Sequence, residues 1–182
     1  TEIYTLSLHD ALPICALEIH ERFFGGEHPD TAKSLYSLAF QFKSQGKYEQ
    51  AEPLYLRALE IQEMFLGAEH LDTVALVNSL ACLYLDQGKY EQAEPLLLQA
   101  LEAYKKTLGA EHHFTAITLS NLGQLYTSTG KLNKAEQMLL NALGIFLPNL
   151  GVNHPWTQEA INVIIELYEK MKIGRASCRE RV

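Results

Sequence analysis

The sequence is poor in the residues that usually announce chemistry. Its three cysteines, Cys15, Cys82 and Cys178, form no CxxC pair and no even-numbered framework, so a disulfide-stapled scaffold is excluded. That usage fits a reducing compartment and a cytoplasmic protein. No apolar run approaches the roughly 20 residues needed to span a bilayer. Basic residues are in the minority, 15 against 22 acidic, for a net charge of −7. Nucleic acid and anionic membranes both need basic patches, so neither is expected as a partner. There is no phosphate loop, dinucleotide fingerprint or nucleophile motif, and no catalytic residue or cofactor is expected. What remains is 47% apolar residues in 182, enough for a sizeable core.

Repetition is the strongest positive signal. "QGKYEQAEPL" occupies residues 45–54 and recurs unchanged at 87–96, and "TGKLNKAEQM" at 129–138 keeps the register. "GGEHPDT", "GAEHLDT", "GAEHHFT" and "GVNHPWT" begin at Gly25, Gly67, Gly109 and Gly151, a constant spacing of 42. His28, His70, His112 and His154 recur with them.

Each unit reads as two helices. Apolar residues at 35, 38, 39 and 42, at 77, 80, 81 and 84, and at 119, 122 and 126 place one stripe on a first helix. Gly46, Gly88 and Gly130 interrupt the pattern and make a turn. A second helix follows from about Tyr48 to Leu66, with Ala51, Leu54, Tyr55, Ala58, Leu59 and Phe65 on its buried side. Gly67 is expected to close it in the left-handed conformation. Pro29 and Pro155 suit a helix start. Pro53 and Pro95 lie near the start of second helices and are expected to be tolerated if they fall within the first turn. Pro148 predicts a kink or early fraying.

Leu80-Ala81-x-x-Tyr84, with Ala93 and Ala100, resembles the tetratricopeptide (TPR) signature. Leu122-Gly123-x-x-Tyr126 with Ala135 and Ala142 repeats it, and Leu38-Ala39-x-x-Phe42 with Ala51 and Ala58 is a close variant. The usual TPR period is about 34, so each helix gains roughly a turn here. The longer version, "QGKYEQAEPLYLRALEI" followed by "LGAEHLDT", resembles the repeats of kinesin light chains, and similar repeats occur in nephrocystin-3-like proteins and bacterial multidomain regulators. The resemblance covers residues 15–172 and implies an all-α, right-handed superhelical solenoid of antiparallel helix pairs, without β-sheet. Its expected divisions are a partial unit 15–30, full units 31–72, 73–114 and 115–156, and a final helix 157–172.

The two ends fit no repeat. Residues 1–14, "TEIYTLSLHDALPI", lack the positive start and continuous apolar core of a signal peptide. Cys178 is fifth from the end, where a lipidation signal needs the fourth. Both ends resemble a translated sequencing adapter: one strand of that DNA gives residues 1–14. Its opposite strand, in another frame, gives "IGRASCRERV", residues 173–182, followed by a stop. Both segments are therefore expected to be non-native tails, with hybrid codons at Cys15 and Lys172, on a fragment of a longer protein.

The recurrent histidines raise the question of a metal. Carried once per unit, they march along an edge and cannot converge on one ion within roughly 2 Å, so a helix-start hydrogen-bonding role is expected and no metal site. Glu111-His112-His113 lacks the H-E-x-x-H spacing. Glu91 and Glu94 read as solvated surface charge.

Stacked helix pairs of this family curve around a concave face lined by the first helices. By position, the residues rotated away from the packing stripe are Lys33, Tyr36, Ser37, Phe40 and Lys43 in the first full unit. Asn78, Ser79, Cys82 and Leu85 follow in the second, and Ile117, Ser120, Asn121, Gln124 and Thr127 in the third. The last helix adds Glu159, Asn162 and Glu166. In kinesin light chains, related asparagines hold the backbone of an extended peptide. Asn78 and Asn162 match the first asparagine of that pattern and Asn121 the second, while Tyr36-Ser37 matches neither. Lys33 and Lys43 are expected to meet an acidic peptide, with Tyr36 and Phe40 as aromatic surface.

The resemblance thus implies a protein-interaction scaffold or adaptor that binds peptide segments of partner proteins and is not an enzyme. Oligomerisation of the full-length protein would run through regions outside this chain. The competing reading is a regulatory or sensor TPR arm of a larger enzyme, an NTPase or protease. A heptad coiled coil encoded upstream would favour the adaptor, and a phosphate-loop domain on the same chain would exclude it.

Overall fold

The computed structural model describes the backbone of residues 8–179 and the side chains of 12–172. The described residues are all-α, with eight helices and no strand. In order they are α1 (Leu8–Phe24), α2 (Pro29–Ser44), α3 (Tyr48–Leu66), α4 (Leu71–Asp86), α5 (Tyr90–Thr107), α6 (His113–Ser128), α7 (Leu132–Leu150) and α8 (Pro155–Arg179). The chain divides into two compact units at Gln87 and Gly88. In the first, α1 packs on α2, α2 on α3 and α3 on α4. In the second, α5 packs on α6, α6 on α7, and α8 on both α6 and α7.

The residues that set this pattern are small. Ala39, Ala51 and Ala58 are fully buried in the first unit, and Ala93, Ala100, Ala135 and Ala142 in the second. Helices can approach closely where no long side chain stands between them. At Gly123 the approach is close: a Cβ there would lie 2.5 Å from Leu139 Cγ. The first-helix stripe is buried as its spacing predicts, with Leu35, Ala81 and Leu122 enclosed and Phe42 half-buried.

Each first helix starts on a histidine. The Nδ1 atoms of His28, His70, His112 and His154 accept from the backbone N–H of Asp30, Asp72, Phe114 and Trp156 at 3.2, 3.2, 3.2 and 3.3 Å. An imidazole thus satisfies a donor that the helix leaves unpaired, as Ser or Asp more often does. Thr31 and Thr115 add a second tie, donating to the carbonyls of Gly25 and Gly109 at 2.8 and 2.9 Å.

Four expectations change. Gly67 does have positive φ, but φ 84° and ψ 161° place it in the extended glycine-only region, not the left-handed helical one. Pro53 is the sixth residue of α3, beyond the first turn; it sits on the exposed face and the helix continues through it. Pro95 does the same in α5. Helix α7 shows no early fraying at Pro148 and runs to Leu150, where Gly151 N–H bonds Leu147. Phe65 is 54% exposed instead of buried, because Ile61 and Gln62 take the core side of the last turns of α3.

Tyrosines bind successive helices in a second recurring motif. Tyr84 donates to Glu52 at 3.1 Å, Tyr126 to Glu94 at 2.9 Å and Tyr168 to Glu136 at 2.8 Å. Glu94 is therefore not the merely solvated charge its helical spacing suggests. It also accepts from Lys131 Nζ at 2.9 Å. That hydrogen bond lowers its pKa, partial burial opposes the shift, and the Tyr126 hydroxyl lowers it further. Burial, with the bond to Glu94, pushes Tyr126 up to about 12.

The folded pKa of Glu94 lies below the ordinary 4.5, so its contribution is fully present above that value. It is lost as pH falls through the folded pKa, where the native state must take up the proton. Urea midpoints measured from about pH 6 down to about pH 3 are expected to fall less steeply in Glu94→Gln than in the parent. Equal slopes would contradict the assignment.

Candidate functional site

In the first unit, α2 and α4 present the side chains expected on the partner-facing side. Lys33, Ser37 and Phe40 are exposed, and Tyr36, Lys43, Asn78, Ser79 and Cys82 are half-buried. Three contacts draw them into one surface. The Tyr36 ring meets Tyr55 edge-on at 5.8 Å. Tyr36 and Ser79 are in hydroxyl contact at 3.4 Å. Lys43 Nζ lies 2.8 Å from the Asp86 carboxylate. On α4 itself, Asn78 Nδ2 reaches the Cys82 sulfur at 4.0 Å. Leu85, expected on this surface, is buried in the core.

The lysines are less available than their sequence positions suggest. Lys33 Nζ is 3.0 Å from the Asp30 carboxylate, one turn before it on the same helix. Lys43 is drawn down by burial, but the hydrogen bond and charge of Asp86 outweigh that and hold its pKa above the ordinary value. Both cations already have a carboxylate partner. The expectation that they await an acidic peptide is thereby weakened.

Between α2, α3 and α4 lies a cavity of about 250 Å³, lined by Lys33, Tyr36, Ser37, Gln62, Asp72, Ala75 and Leu76. The sequence reading found its α2 residues and missed Gln62 and Asp72. A larger open groove, about 670 Å³, runs along the outer end of α3 beside Phe24, Arg57, Met64 and Phe65. Arg57 bridges it, bonding Glu21 at 2.6 Å and the Gly26 carbonyl at 3.0 Å.

In the second unit, Ile117, Asn121 and Gln124 on α6 are half-buried, while Glu159, Asn162 and Glu166 on α8 are exposed. Glu166 pairs with Lys170 at 2.6 Å. Ser120 and Thr127, expected on the same face, are buried, and Thr127 donates to the Gly123 carbonyl at 2.8 Å. Amides therefore remain at Asn121 and Gln124, half-buried, and at Asn162, exposed. Among the described residues, no three His, Cys, Asp or Glu side chains converge where a metal ion could sit. No helix among them is long and apolar enough to cross a membrane.

Comparison with known proteins agrees with this architecture. No curated protein matches the sequence. Among solved structures, the chain is similar to a point-substituted form of the nearly identical TPR-like repeats of a Podosopora anserina kinesin light chain candidate. The identity is 24% and the TM-score 0.73, over 94% of this chain and 80% of that one. BtubC (BKLC) of P. vanneervenii is similar at 22% identity and TM-score 0.70, over 93% and 73%. The apo form of RapI is similar at 21% identity and TM-score 0.71, over 93% of this chain and 45% of that one. The family profile for the tetratricopeptide repeat matches residues 14–63, 37–106 and 74–147. Together with paired helices, small packing residues and a fixed 42-residue register, that match places the chain in the tetratricopeptide repeat family.

Proposed function

We propose that the protein is an adaptor that binds peptide segments of partner proteins on the faces of its first helices. The observation that carries this is the composition of those faces once packing is subtracted. Tyr36 and Phe40 remain as aromatic surface, and Asn78, Asn121, Gln124 and Asn162 as amides, all half-buried or exposed. A carboxamide donates and accepts at once, which matches the two needs of a peptide bond. Half-buried aromatics supply contact area at little entropic cost. The likeness to kinesin light chain repeats supports a cargo-binding type of role.

Selection of binders from a random peptide library on the intact chain tests this. Asn78→Ala with Asn121→Ala is expected to weaken the selected peptides at least tenfold, at about 1 kcal/mol or more per lost amide pair. Circular dichroism should be unchanged. Binding that survives the double substitution would count against these faces.

A further inference from the structure

The cavity of the first unit exists because a ring is missing. Position 62 belongs to a column that recurs every 42 residues: His20, Gln62, Tyr104 and Phe146. A second column, Asp30, Asp72, Phe114 and Trp156, faces it from the next helix start. In the second unit both rows are filled by rings, Tyr104 against Phe114 at 5.5 Å and Phe146 near Trp156 at 6.4 Å. In the first row, His20 is satisfied: its Nδ1 lies 2.7 Å from Ser34 Oγ and 3.2 Å from the Asp30 carbonyl.

The Gln62 row has neither solution. Glutamine is smaller than tyrosine or phenylalanine, and the place of Ser34 is taken by Leu76, which offers no hydrogen bond. Gln62 is only 5% exposed, and its Oε1 has no partner. Buried amides are rarely left so. Where the second unit has Phe114, this row has the Asp72 carboxylate, on the wall of the same cavity. His70 Nδ1 lies 3.9 Å from it and is engaged as the acceptor of the Asp72 backbone N–H. Lys33, on another wall, is held by Asp30.

We infer that this cavity receives an arginine side chain of the partner segment, a reading that rests on the peptide-binding role proposed above. A guanidinium is flat like the missing ring, and it can lie against Tyr36. It carries only donors, which the unpaired Gln62 oxygen and the Asp72 carboxylate both require. The terminal amide of Gln62 turns about a soft torsion, so its oxygen can face the cavity. The unmatched charge at the cavity is negative, so an acidic side chain is disfavoured there.

The test is nitrogen-15 NMR of the intact chain titrated with N-acetyl-arginine N-methylamide. The glutamate and tryptophan analogues serve as competitors. The arginine probe is expected to shift the Gln62 side-chain amide and the Ala75 N–H saturably. Asp72→Asn should weaken it about fivefold, and Gln62→Tyr, which restores the residue type of Tyr104, should abolish it. Equal or stronger effects from either analogue would overturn the inference. So would an unmoved Gln62, or arginine binding unchanged in Gln62→Tyr. If library peptides bind while the arginine probe leaves Gln62 unmoved, the pocket assignment falls and the adaptor reading stands. If the arginine probe binds and no library peptide does, the adaptor reading falls and a partner peptide as the source of the arginine falls with it, while the pocket's preference for a guanidinium stands.

Discussion

Replacing Phe146 by alanine is expected to lower the unfolding free energy by about 3–5 kcal/mol, read from urea titration followed by circular dichroism. Phe146 is 1% exposed and stands on α7 beside the Trp156 ring of α8. Truncation removes the apolar transfer term and leaves a void that the flanking helices close only in part. The void would resemble the cavity that Gln62 already leaves in the first unit. Phe65, 54% exposed near the end of α3, is the internal control. Its alanine variant is expected to stay within about 0.5 kcal/mol of the parent. Equal losses at the two positions would mean that the side chains on the inner faces of the second helices do not carry the core.

Gly123→Val is expected to cost about 3 kcal/mol through overpacking. The added Cβ alone would stand 2.5 Å from Leu139 Cγ and 2.7 Å from Cδ2. Leu139 is fully buried and cannot swing into solvent. The contact is with its branch point, so relief requires α6 and α7 to separate. Alanine occupies this column at positions 39 and 81, so Gly123→Ala is the milder case. It gains about 1 kcal/mol of helix propensity against the clash, and its net change should be smaller than that of valine. A valine variant as stable as the parent would show that the helices do not meet as closely here as described.

The repeat made most of the fold legible. A 42-residue register carried by glycine, histidine and alanine sets the helix pairs, and α3 spans Tyr48–Leu66 as the pattern indicates. Periodicity alone was weaker at helix ends. Phe65 looked buried by its apolar character, yet the core side of that turn belongs to Ile61 and Gln62. Pairwise chemistry was invisible to single-helix reasoning. Glu94 looks solvated on its own helix and becomes a partner only when Tyr126 of the next helix reaches it. The exposed and half-buried side chains of α2 and α4 were legible by rotation from the stripe, except Leu85, which is buried. The cavity was not, since Gln62 lies on a second helix and faces inward. Aligning the repeats column by column would have exposed it, as a glutamine and an aspartate where the later copies carry rings.

The most direct test of the account is chemical-shift mapping of a library-selected peptide on the nitrogen-15-labelled chain. The largest changes are expected on the first helices, at Tyr36, Ser37, Asn78 and Ser79 of the first unit or Asn121 and Gln124 of the second. Changes confined to the outer groove beside Phe24, Met64 and Phe65, with those amides unmoved, would contradict it.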